Sequence, residues 1–334
     1  MSQHESEAAR EAALSTLRSG KRFLLVGHER PDGDCIGSQA ALARVLAGLG
    51  KEVAVVNPDA PAGPFAELVR SGPFGTWNGK VPAHDVCVLL DFNVLSRCGP
   101  MADALAAASS QKLIVDHHPL GREAWWNHAY VDVSAAATGL LVRRIARALG
   151  VGLDPVLARA VFTSIVTDTG WFRYSNTDAE ALATAAELLQ HGVAPAEVYR
   201  AIHQQASPTE PAAIGRVLAR TEYFADGRLA VVDLPLARNG EPRLEDTDTP
   251  LDILRAVKDV EVVLFLRARE DGQVKLSARS KTTYDVNALA RLFGGGGHVK
   301  AAGATIRGSL ADVRAKLVEA AIAGFGDGAS SPER

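Results

Sequence analysis

The sequence predicts an α/β fold: a parallel sheet flanked by helices, followed by a smaller α/β domain with a mixed sheet, across a cleft from the first. Three observations predict it. Short apolar runs alternate with helical patterns up to about residue 170, which is typical of strand–helix–strand units. Residues 86–90 and 113–115 are apolar at every position, as strands buried on both faces are. Apolar strand-like runs then return after residue 228.

In the first part of the chain, strands are predicted wherever a short apolar run is bounded by turn residues. They are residues 23–27, 52–57, 85–91 and 112–116, with a short fifth at 131–133. Helices are predicted between them at 40–48 and 101–109. The pattern from about residue 135 to 220 is nearly all helical, with helices at 140–149, 156–166, 178–191 and 196–205.

The character of the sequence changes after a last helix at 212–220, which we interpret as part of a linker spanning residues 206–220. Strands are predicted at 229–232, 260–266 and 274–278, and a helix at 285–292 leads into four glycines at 294–297. We therefore expect domains at 1–205 and 221–324. The last residues, 325–334, are rich in Gly, Ser and Pro, which predicts a disordered tail.

Composition limits the function classes. The net charge is −3 and no Lys/Arg-rich block occurs, so we expect no binding to long duplex nucleic acid, and a nucleic-acid substrate would be short. A basic groove built from scattered residues stays open. We expect no membrane association, because no apolar run is long enough to cross a bilayer. The polar N-terminus and three irregularly spaced cysteines indicate a cytoplasmic protein without a disulfide framework.

Acidic and imidazole side chains follow the predicted strands, and one more follows a helix. In a parallel sheet the carboxyl ends of the strands share one edge, where α/β proteins bind ligands, so we expect these side chains to face one another. Taken singly, each has a simpler explanation, such as a helix cap for Asp91 or a helix-end turn for Asp168. The full set is His28, Asp32, Asp34, Asp91, Asp116, His117, His118 and Asp168.

Clustered carboxylates require a cation, because unpaired they would repel one another and be costly to desolvate. Arg30 and Arg173 are the evident neutralising residues in the sequence. A divalent metal centre solves the problem. A mixed set of about four carboxylates and two imidazoles suits Mn²⁺, with Mg²⁺, Co²⁺ and Fe²⁺ as competitors. Zinc sites with this many carboxylates are less usual.

The order and spacing of these residues resemble the four motifs of the DHH phosphoesterases, over residues 20–310. The resemblance implies a DHH metal-binding catalytic domain at 1–205 and a DHH-associated substrate-binding domain at 221–324. Residues 167–174 and 277–280 are similar to the branch that acts on short RNA and on 3′-phosphoadenosine 5′-phosphate. The matching motifs are His28-x-x-x-Asp32-x-Asp34-x-x-Gly37-Ser38, Asp91, Asp116-His117-His118, Asp168 and Gly294-Gly-Gly-Gly-His298…Ala301-Ala-Gly303.

The resemblance also implies roles. Two Mn²⁺ ions are expected per chain, with Asp91 bridging them, His118 facing the substrate phosphate and Asp116 orienting a histidine through its ring N–H. The family often has a Ser-Thr-x-Glu-like stretch where this chain reads Ala-Thr-Gly-Leu at 137–140, which predicts the loss of a polar contact. The implied ligands are His28, Asp32 and Asp91 for one ion, and Asp34, Asp91, His117 and Asp168 for the other.

The phosphate end of the site is expected near the four glycines. Such a run, followed by a helix-like segment at 299–302, can present backbone N–H groups to an anion. A flexible turn is the alternative explanation for the glycines, as a solvated strand-end residue is for Arg279. The expected substrate-binding residues are Arg173, Arg279, Gly295, Gly296, Gly297 and His298.

The resemblance implies a manganese-dependent phosphoesterase that hydrolyses short oligoribonucleotides, including pApA and pGpG, and 3′-phosphoadenosine 5′-phosphate. The expected partner is a short RNA or a mononucleotide bisphosphate substrate, and a homodimer is a further expectation. Four alternatives stay open: a cyclic di-AMP phosphodiesterase, a manganese pyrophosphatase, a single-strand exonuclease for long substrates and a non-catalytic nucleotide-sensing module.

Overall fold

The computed structural model describes residues 3–61, 63–121, 124–236, 244 and 247–326. The chain divides into two compact units, Met1–Gln205 and Ala206–Arg334. The tail predicted at 325–334 lies outside the described residues from residue 327 onward. None of the helices in the described ranges is both long and apolar enough to cross a membrane.

Unit 1 is built on a six-stranded sheet in which every pair of neighbouring strands is parallel. The predicted parallel sheet is therefore confirmed, and its order is β3-β2-β1-β4-β5-β6. The short β3 was not predicted because it lacks an apolar run, and β6 begins three residues before the strand predicted at 131–133. The strands are β1 (Arg22–Val26), β2 (Glu52–Asn57), β3 (Phe74–Thr76), β4 (Val86–Leu90), β5 (Gln111–Asp116) and β6 (His128–Val131).

Helices cover both faces of this sheet. Phe23 and Leu25 pack into one core cluster and Leu24 and Val26 into another, which is why β1 is apolar throughout. Helix α2 begins at Gly33, seven residues before the helix predicted at 40–48, so Asp34 lies in its first turn. The helices are α1 (Gln3–Ser19), α2 (Gly33–Gly48), α3 (Ala66–Arg70), α4 (Ala102–Ala107), α5 (Thr138–Ala148), α6 (Pro155–Asp168), α7 (Ala179–Gln190) and α8 (Pro195–His203).

The strand order creates a switch point. From β1 the chain builds outward through β2 and β3, and it then returns to place β4 on the other side of β1. The segments after β1 and β4 therefore leave the sheet side by side in opposite senses, which opens a crevice at the carboxyl ends of the strands. The first motif and Asp91 follow these two strands, and the Asp116 motif ends the next strand along the sheet.

Unit 2 holds a mixed sheet of order β11-β12-β10-β9-β8-β7, which confirms the predicted mixed character. Among its described strands, β8 and β9 are parallel and the other neighbours antiparallel. The elements are α9 (Glu210–Leu218), β7 (Glu222–Phe224), β8 (Leu229–Leu234), α10 (Asp248–Arg255), β9 (Val262–Ala268), β10 (Gln273–Ser280), α11 (Val286–Arg291), β11 (Gly296–His298), β12 (Ala301–Arg307) and α12 (Leu310–Gly326).

Two local features of unit 2 differ from the sequence-based expectations. Helix α9 falls in the stretch interpreted as a linker, but Ala213 and Val217 are buried in a core cluster with residues of β8 and β9. The segment 299–302 is not helical, because β11 and β12 pair as a hairpin with His298 opposite Ala301. The helix prediction there was wrong, since four glycines followed by small residues suit a tight hairpin as well as a helix start.

Candidate metal centre and phosphate-contact site

The first motif is held by the start of α2. Asp32 caps the helix, since its Oδ1 accepts the amides of Asp34 and Cys35 at 3.1 and 3.0 Å. His28 donates from Nδ1 to the Glu29 carbonyl at 2.8 Å, so its Nε2 faces the site. That atom lies 3.9 Å from Asp32 Oδ2 and 3.6 Å from Asp91 Oδ2. Burial lowers the pKa of His28, which keeps the ring in the neutral form that binds metals.

Asp91 is the central residue of the cluster. It follows β4 directly, its side chain is 3% exposed, and its φ of +68° lies in the left-handed region. Such a backbone is uncommon for a residue other than glycine and is frequent at functional sites. Asp91 Oδ2 faces His28, whereas Oδ1 lies 3.5 Å from His117 Nε2. The two oxygens of one carboxylate thus face two different imidazoles.

His117 provides the clearest indication that these side chains bind a cation. Its Nδ1 donates to the Ala135 carbonyl at 3.1 Å. Within the described part of the chain, its buried Nε2 has no hydrogen-bond partner. Carboxylate oxygens of Asp34, Asp91 and Asp168 surround that atom at 3.5–3.7 Å. These separations are too long for hydrogen bonds, and a cation between the four groups would satisfy all of them.

Asp34 is braced by residues of α5 and α6, of which Ser164 was not predicted from the sequence. Its oxygens accept the amides of Thr138 and Gly139, at 2.8 and 3.2 Å, from the first turn of α5. The Ser164 hydroxyl donates to Asp34 at 2.5 Å. The Thr138 hydroxyl also donates to Asp91 at 3.1 Å. Thr138, which the family pattern shares, thus supplies two contacts, and the loss predicted from Ala137 and Leu140 stays a prediction.

Each brace has a local reason. A carboxylate is stabilised at a helix N-terminus, where amides are unpaired and the helix dipole is positive. A Cβ at position 139 would lie 2.1 Å from Ser164 Oγ, so glycine permits the close approach of α5 and α6. Ser164 lies four residues before Asp168 on α6, so both side chains occupy one helix face. That spacing was the available sequence signal for Ser164.

Asp116 and His118 form a separate hydrogen-bonded pair at the end of β5. Asp116 Oδ1 accepts both the amide and the Nδ1–H of His118, at 3.0 and 2.8 Å. Its Oδ2 accepts the Asn93 amide at 2.6 Å. Burial alone would raise the pKa of Asp116, but the hydrogen bonds from His118 and Asn93 outweigh it and hold the pKa below its usual value. Asp116 in turn raises the pKa of His118 against the effect of burial.

The electrostatics of the cluster favour a bound cation. Burial and the neighbouring carboxylates raise the pKa values of Asp34, Asp91 and Asp168, the last to about 7. Three overlapping groups of ligand atoms lie close enough to share an ion. The unpartnered His117 Nε2 and this oxygen-rich donor set fit divalent metals. The groups are His28 with Asp32 and Asp91, Asp34 with His117 and Asp168, and Asp91 with His117 and His118.

Arg173 and Asp168 are linked by an unusual turn. Gly170, Trp171 and Phe172 all have positive φ, at 53°, 59° and 62°, so the chain makes a left-handed turn directly after α6. Arg173 Nε donates to the Gly170 carbonyl at 2.7 Å. On the far side of the turn, the Asn176 amide donates to Asp168 Oδ2 at 3.2 Å. The exposed Arg173 is thus set by the same turn that braces Asp168.

In unit 2 the predicted phosphate contacts lie on neighbouring strands. Arg279 of β10 and His298 of β11 are both register partners of Ala301 on β12. Residues directly opposite each other on antiparallel strands point to the same side of the sheet. The register therefore places Arg279 and His298 on one face, about 10 Å apart across two strand spacings. Arg279 is held by an ion pair to Asp248 at 2.9 Å.

The glycines before His298 serve the hairpin. A Cβ at Gly295 would lie 2.2 Å from the Gly303 carbonyl oxygen, and a Cβ at Gly297, where φ is +148°, would lie 2.5 Å from the Ala301 carbonyl oxygen. The amide of Gly295 donates to the Ala290 carbonyl of α11 at 2.9 Å. The glycines are therefore required for close backbone approach, and the Gly295 amide is engaged by α11.

Comparisons with known proteins agree with this architecture. Residues 22–165 match the N-terminal domain of the DHH family, and residues 244–325 match the DHHA1 domain. The sequence is 37% identical over 283 residues to the bifunctional oligoribonuclease and PAP phosphatase NrnA of Thermus thermophilus, a match that covers 84% of this chain and 83% of that protein. The chain therefore belongs to the DHH family of phosphoesterases, and it is a hydrolytic enzyme.

Within the family, two further similarities extend over most of the chain. The NrnA protein of Mycoplasma pneumoniae is 27% identical over 305 residues, covering 88% of this chain and 90% of that one. The crystal structure of an exopolyphosphatase-related protein from Bacteroides fragilis superposes with a TM-score of 0.85 at 26% identity, covering 96% and 97% of the two chains. Both matches span the two units.

Proposed function

We propose that this protein is a manganese-dependent phosphoesterase that hydrolyses short oligoribonucleotides, including pApA and pGpG, and removes a phosphate from 3′-phosphoadenosine 5′-phosphate. The observation that carries the proposal is the buried cluster in which Asp91 faces His28 with one oxygen and His117 with the other. The substrate class is supported by the 37% identity to a protein named as a bifunctional oligoribonuclease and PAP phosphatase.

We propose that the cluster holds two cations that share Asp91. His28, Asp32 and Asp91 would hold one, and Asp34, Asp91, His117 and Asp168 would hold the other. We propose Mn²⁺, with Mg²⁺ and Co²⁺ as competitors, because carboxylates outnumber imidazoles in both sets. When bound, such a pair supplies the Lewis acidity that phosphoester hydrolysis requires.

His118 is proposed to move a proton during the reaction. Because Asp116 accepts the Nδ1–H at 2.8 Å, the ring is fixed in orientation and a proton passed to a leaving oxygen would come from Nε2. The carboxylate of Asp116 also raises the pKa of His118, which favours the protonated form that a general acid needs. Asp116 thus positions His118.

Substrate binding is proposed to use Arg279 and His298 together. A guanidinium can hold a phosphate through two parallel hydrogen bonds, and the imidazole on the same sheet face offers a further donor. Arg173 is proposed as an additional phosphate contact. The glycines Gly295, Gly296 and Gly297 are proposed to act indirectly, by allowing the hairpin that presents His298.

A panel of substrates tests the proposal. The full chain with Mn²⁺ is assayed on pApA, pGpG, longer RNA, 3′-phosphoadenosine 5′-phosphate, cyclic di-AMP and pyrophosphate. We expect the highest kcat/KM for the dinucleotides and the bisphosphate. Turnover of pyrophosphate alone or of cyclic di-AMP alone would replace the proposal with that activity. A preference for long RNA would contradict the short-substrate assignment. Absence of all turnover with metal bound would indicate a sensing module.

Two further properties, the cellular compartment and the oligomeric state, complete the proposal. Cys35, Cys87 and Cys98 are unpaired and buried, which suits a protein of the reducing cytoplasm, and we propose that compartment. A homodimer is also proposed, and light scattering of the purified chain tests it. A mass near 35 kDa at micromolar concentration would contradict the dimer.

A further inference from the structure

Unit 2 contains a cavity of about 830 Å³ whose lining does not include the predicted phosphate contacts. Its volume lies within the range of roughly 300–1,000 Å³ typical of small-molecule sites. Leu234 and Arg267 line it at the carboxyl ends of β8 and β9, the parallel pair of this sheet, and α9 forms another wall. The carboxyl ends of parallel strands are the usual ligand-binding edge of an α/β sheet.

The cavity lies at the opposite end of the sheet from Arg279. In the β9–β10 register, Arg279 pairs with Val263, whereas Arg267 pairs with Lys275. These rows are four residues apart, which corresponds to about 13 Å along the strands. The lining includes neither Arg279 nor His298. A ligand in the cavity would therefore occupy a second site.

Four arginines lie at the rim of the cavity. Arg216 lies on α9 and Arg220 two residues beyond its end, while Arg267 lies on β9 and Arg269 directly after it. Among the described lining residues, the acids are Glu270 and Asp271.

Two of these arginines form ion pairs that an anion can displace or share. Arg220 pairs with Asp233 at 3.2 Å and Arg269 with Asp271 at 3.2 Å. Both arginine side chains are about half exposed, and exposed ion pairs contribute little free energy, so an incoming phosphate can compete for the guanidinium groups. Arg267 donates to the Leu244 carbonyl at 2.7 Å, which fixes its side chain against the wall.

The floor of the cavity is apolar. Ala213, Val217 and Leu244 are buried there, with Leu234 packed beside them. A site with an apolar floor and a guanidinium rim suits a ligand that has a flat apolar body and a terminal phosphate. Arginine recognises both parts, because it binds phosphate through two hydrogen bonds and stacks on planar rings.

We propose that this cavity binds a phosphate-bearing ligand with a planar apolar body, the chemistry of a nucleoside monophosphate. The inference goes beyond the proposed hydrolysis, because no lining residue belongs to the metal cluster or to the Arg279–His298 pair. It assigns a second nucleotide site to unit 2.

Photo-crosslinking locates the ligand. The full chain in EDTA is irradiated with 8-azido-AMP, and the labelled peptides are identified by mass spectrometry. We expect labelled residues within 213–236 or 267–271. Labelling confined to the regions of Arg279, His298 or the metal cluster would overturn the inference. The readout needs no turnover, so it stands whether or not the proposed hydrolysis is observed.

Competition on the cavity peptide tests the chemistry. Unlabelled AMP should compete at least about tenfold better than adenosine or inorganic phosphate, since each of these offers half of the interactions. If adenosine or inorganic phosphate competed as well as AMP, a site that recognises both the base and the phosphate would be contradicted. Arg267→Gln and Arg216→Gln should each weaken AMP about tenfold, while Arg307→Gln, an exposed arginine outside the lining, should not. Unchanged affinity in both cavity variants would refute the arginine rim.

Discussion

The metal cluster of unit 1 and the Arg279–His298 site of unit 2 are organised in contrasting ways. Asp34 and Asp91 are almost fully buried and receive several hydrogen bonds from α5 and α6. Arg279, in contrast, is 27% exposed and pairs with an Asp248 side chain that is 72% exposed. The cluster is built at the cost of charge repulsion before any cation binds, whereas Arg279, a proposed phosphate contact, is held by an ion pair to an exposed carboxylate. Rigidity is therefore concentrated where the metals bind.

The largest expected effect is that of Asp91→Asn, which removes the shared charge and keeps the shape. Asparagine tolerates the left-handed backbone at this position, so the fold should persist. We expect turnover with Mn²⁺ to fall more than about 10³-fold, while the metal-free protein gains about 1–3 kcal/mol of stability because a buried charge is lost. Activity assays and urea unfolding in EDTA measure both. Near-normal turnover with the same metal would refute the bridging role.

Arg279→Ala and His298→Ala sharpen the comparison from the side of unit 2. Each should raise KM by about 10–100-fold, because a charge-assisted phosphate contact is lost. Mn²⁺ affinity, measured by calorimetry, should stay unchanged. Arg307→Ala is the matched control on the neighbouring strand. A parallel loss of Mn²⁺ affinity would contradict the assignment of Arg279 and His298 to phosphate binding.

Thr138→Val tests whether the bracing of the cluster matters. The substitution removes the hydroxyl that donates to Asp91 and keeps the amide that donates to Asp34. We expect Mn²⁺ affinity to fall about tenfold, as is typical when a partner of a metal ligand is lost. Thr16→Val is the control, because Thr16 is also buried and donates to a carbonyl within α1. Equal effects of the two variants would reduce Thr138 to a packing residue.

The smallest expected effect is a pH dependence of the metal-free protein. The pKa of Asp168 is about 7 in the folded chain, above its unfolded value, so the folded state binds more protons. The free energy of unfolding should therefore fall as pH rises through 7, by about 1 kcal/mol between pH 6 and 8. Urea unfolding in EDTA measures it. Asp168→Asn should flatten the slope, and an unchanged slope in that variant would assign the effect to another group.

Much of unit 1 could be predicted because parallel strands bring their carboxyl ends together. Residues as distant in sequence as His28 and Asp91 could be grouped from the order of apolar runs alone. The contacts of Asp34 with Thr138 and Ser164 could not, because they join residues 104 and 130 positions apart through helix packing. The family resemblance marks 137–140 as a stretch that makes a polar contact, but nothing in the local pattern identifies Asp34 as its partner.

Unit 2 was less predictable because its signals are short. Strand β11 has three residues, two of them glycine, and it forms because Gly295 and Gly297 allow a backbone approach that side chains would block. The same glycines are compatible with an anion-binding turn, and only the pairing with β12 separates the two. Likewise, the sequence of α9 is compatible with a linker, and only the burial of Ala213 and Val217 in a core cluster assigns the helix to unit 2.

The order of the two units along the chain has a consequence for the newly synthesised protein. Every candidate metal ligand lies between residues 28 and 168, inside unit 1, which ends at Gln205. His298 follows 130 residues after Asp168, a delay of roughly 7–26 s at ribosomal rates of about 5–20 residues per second. A nascent chain can therefore assemble its carboxylate cluster and take up cations while Arg279 and His298 are still untranslated.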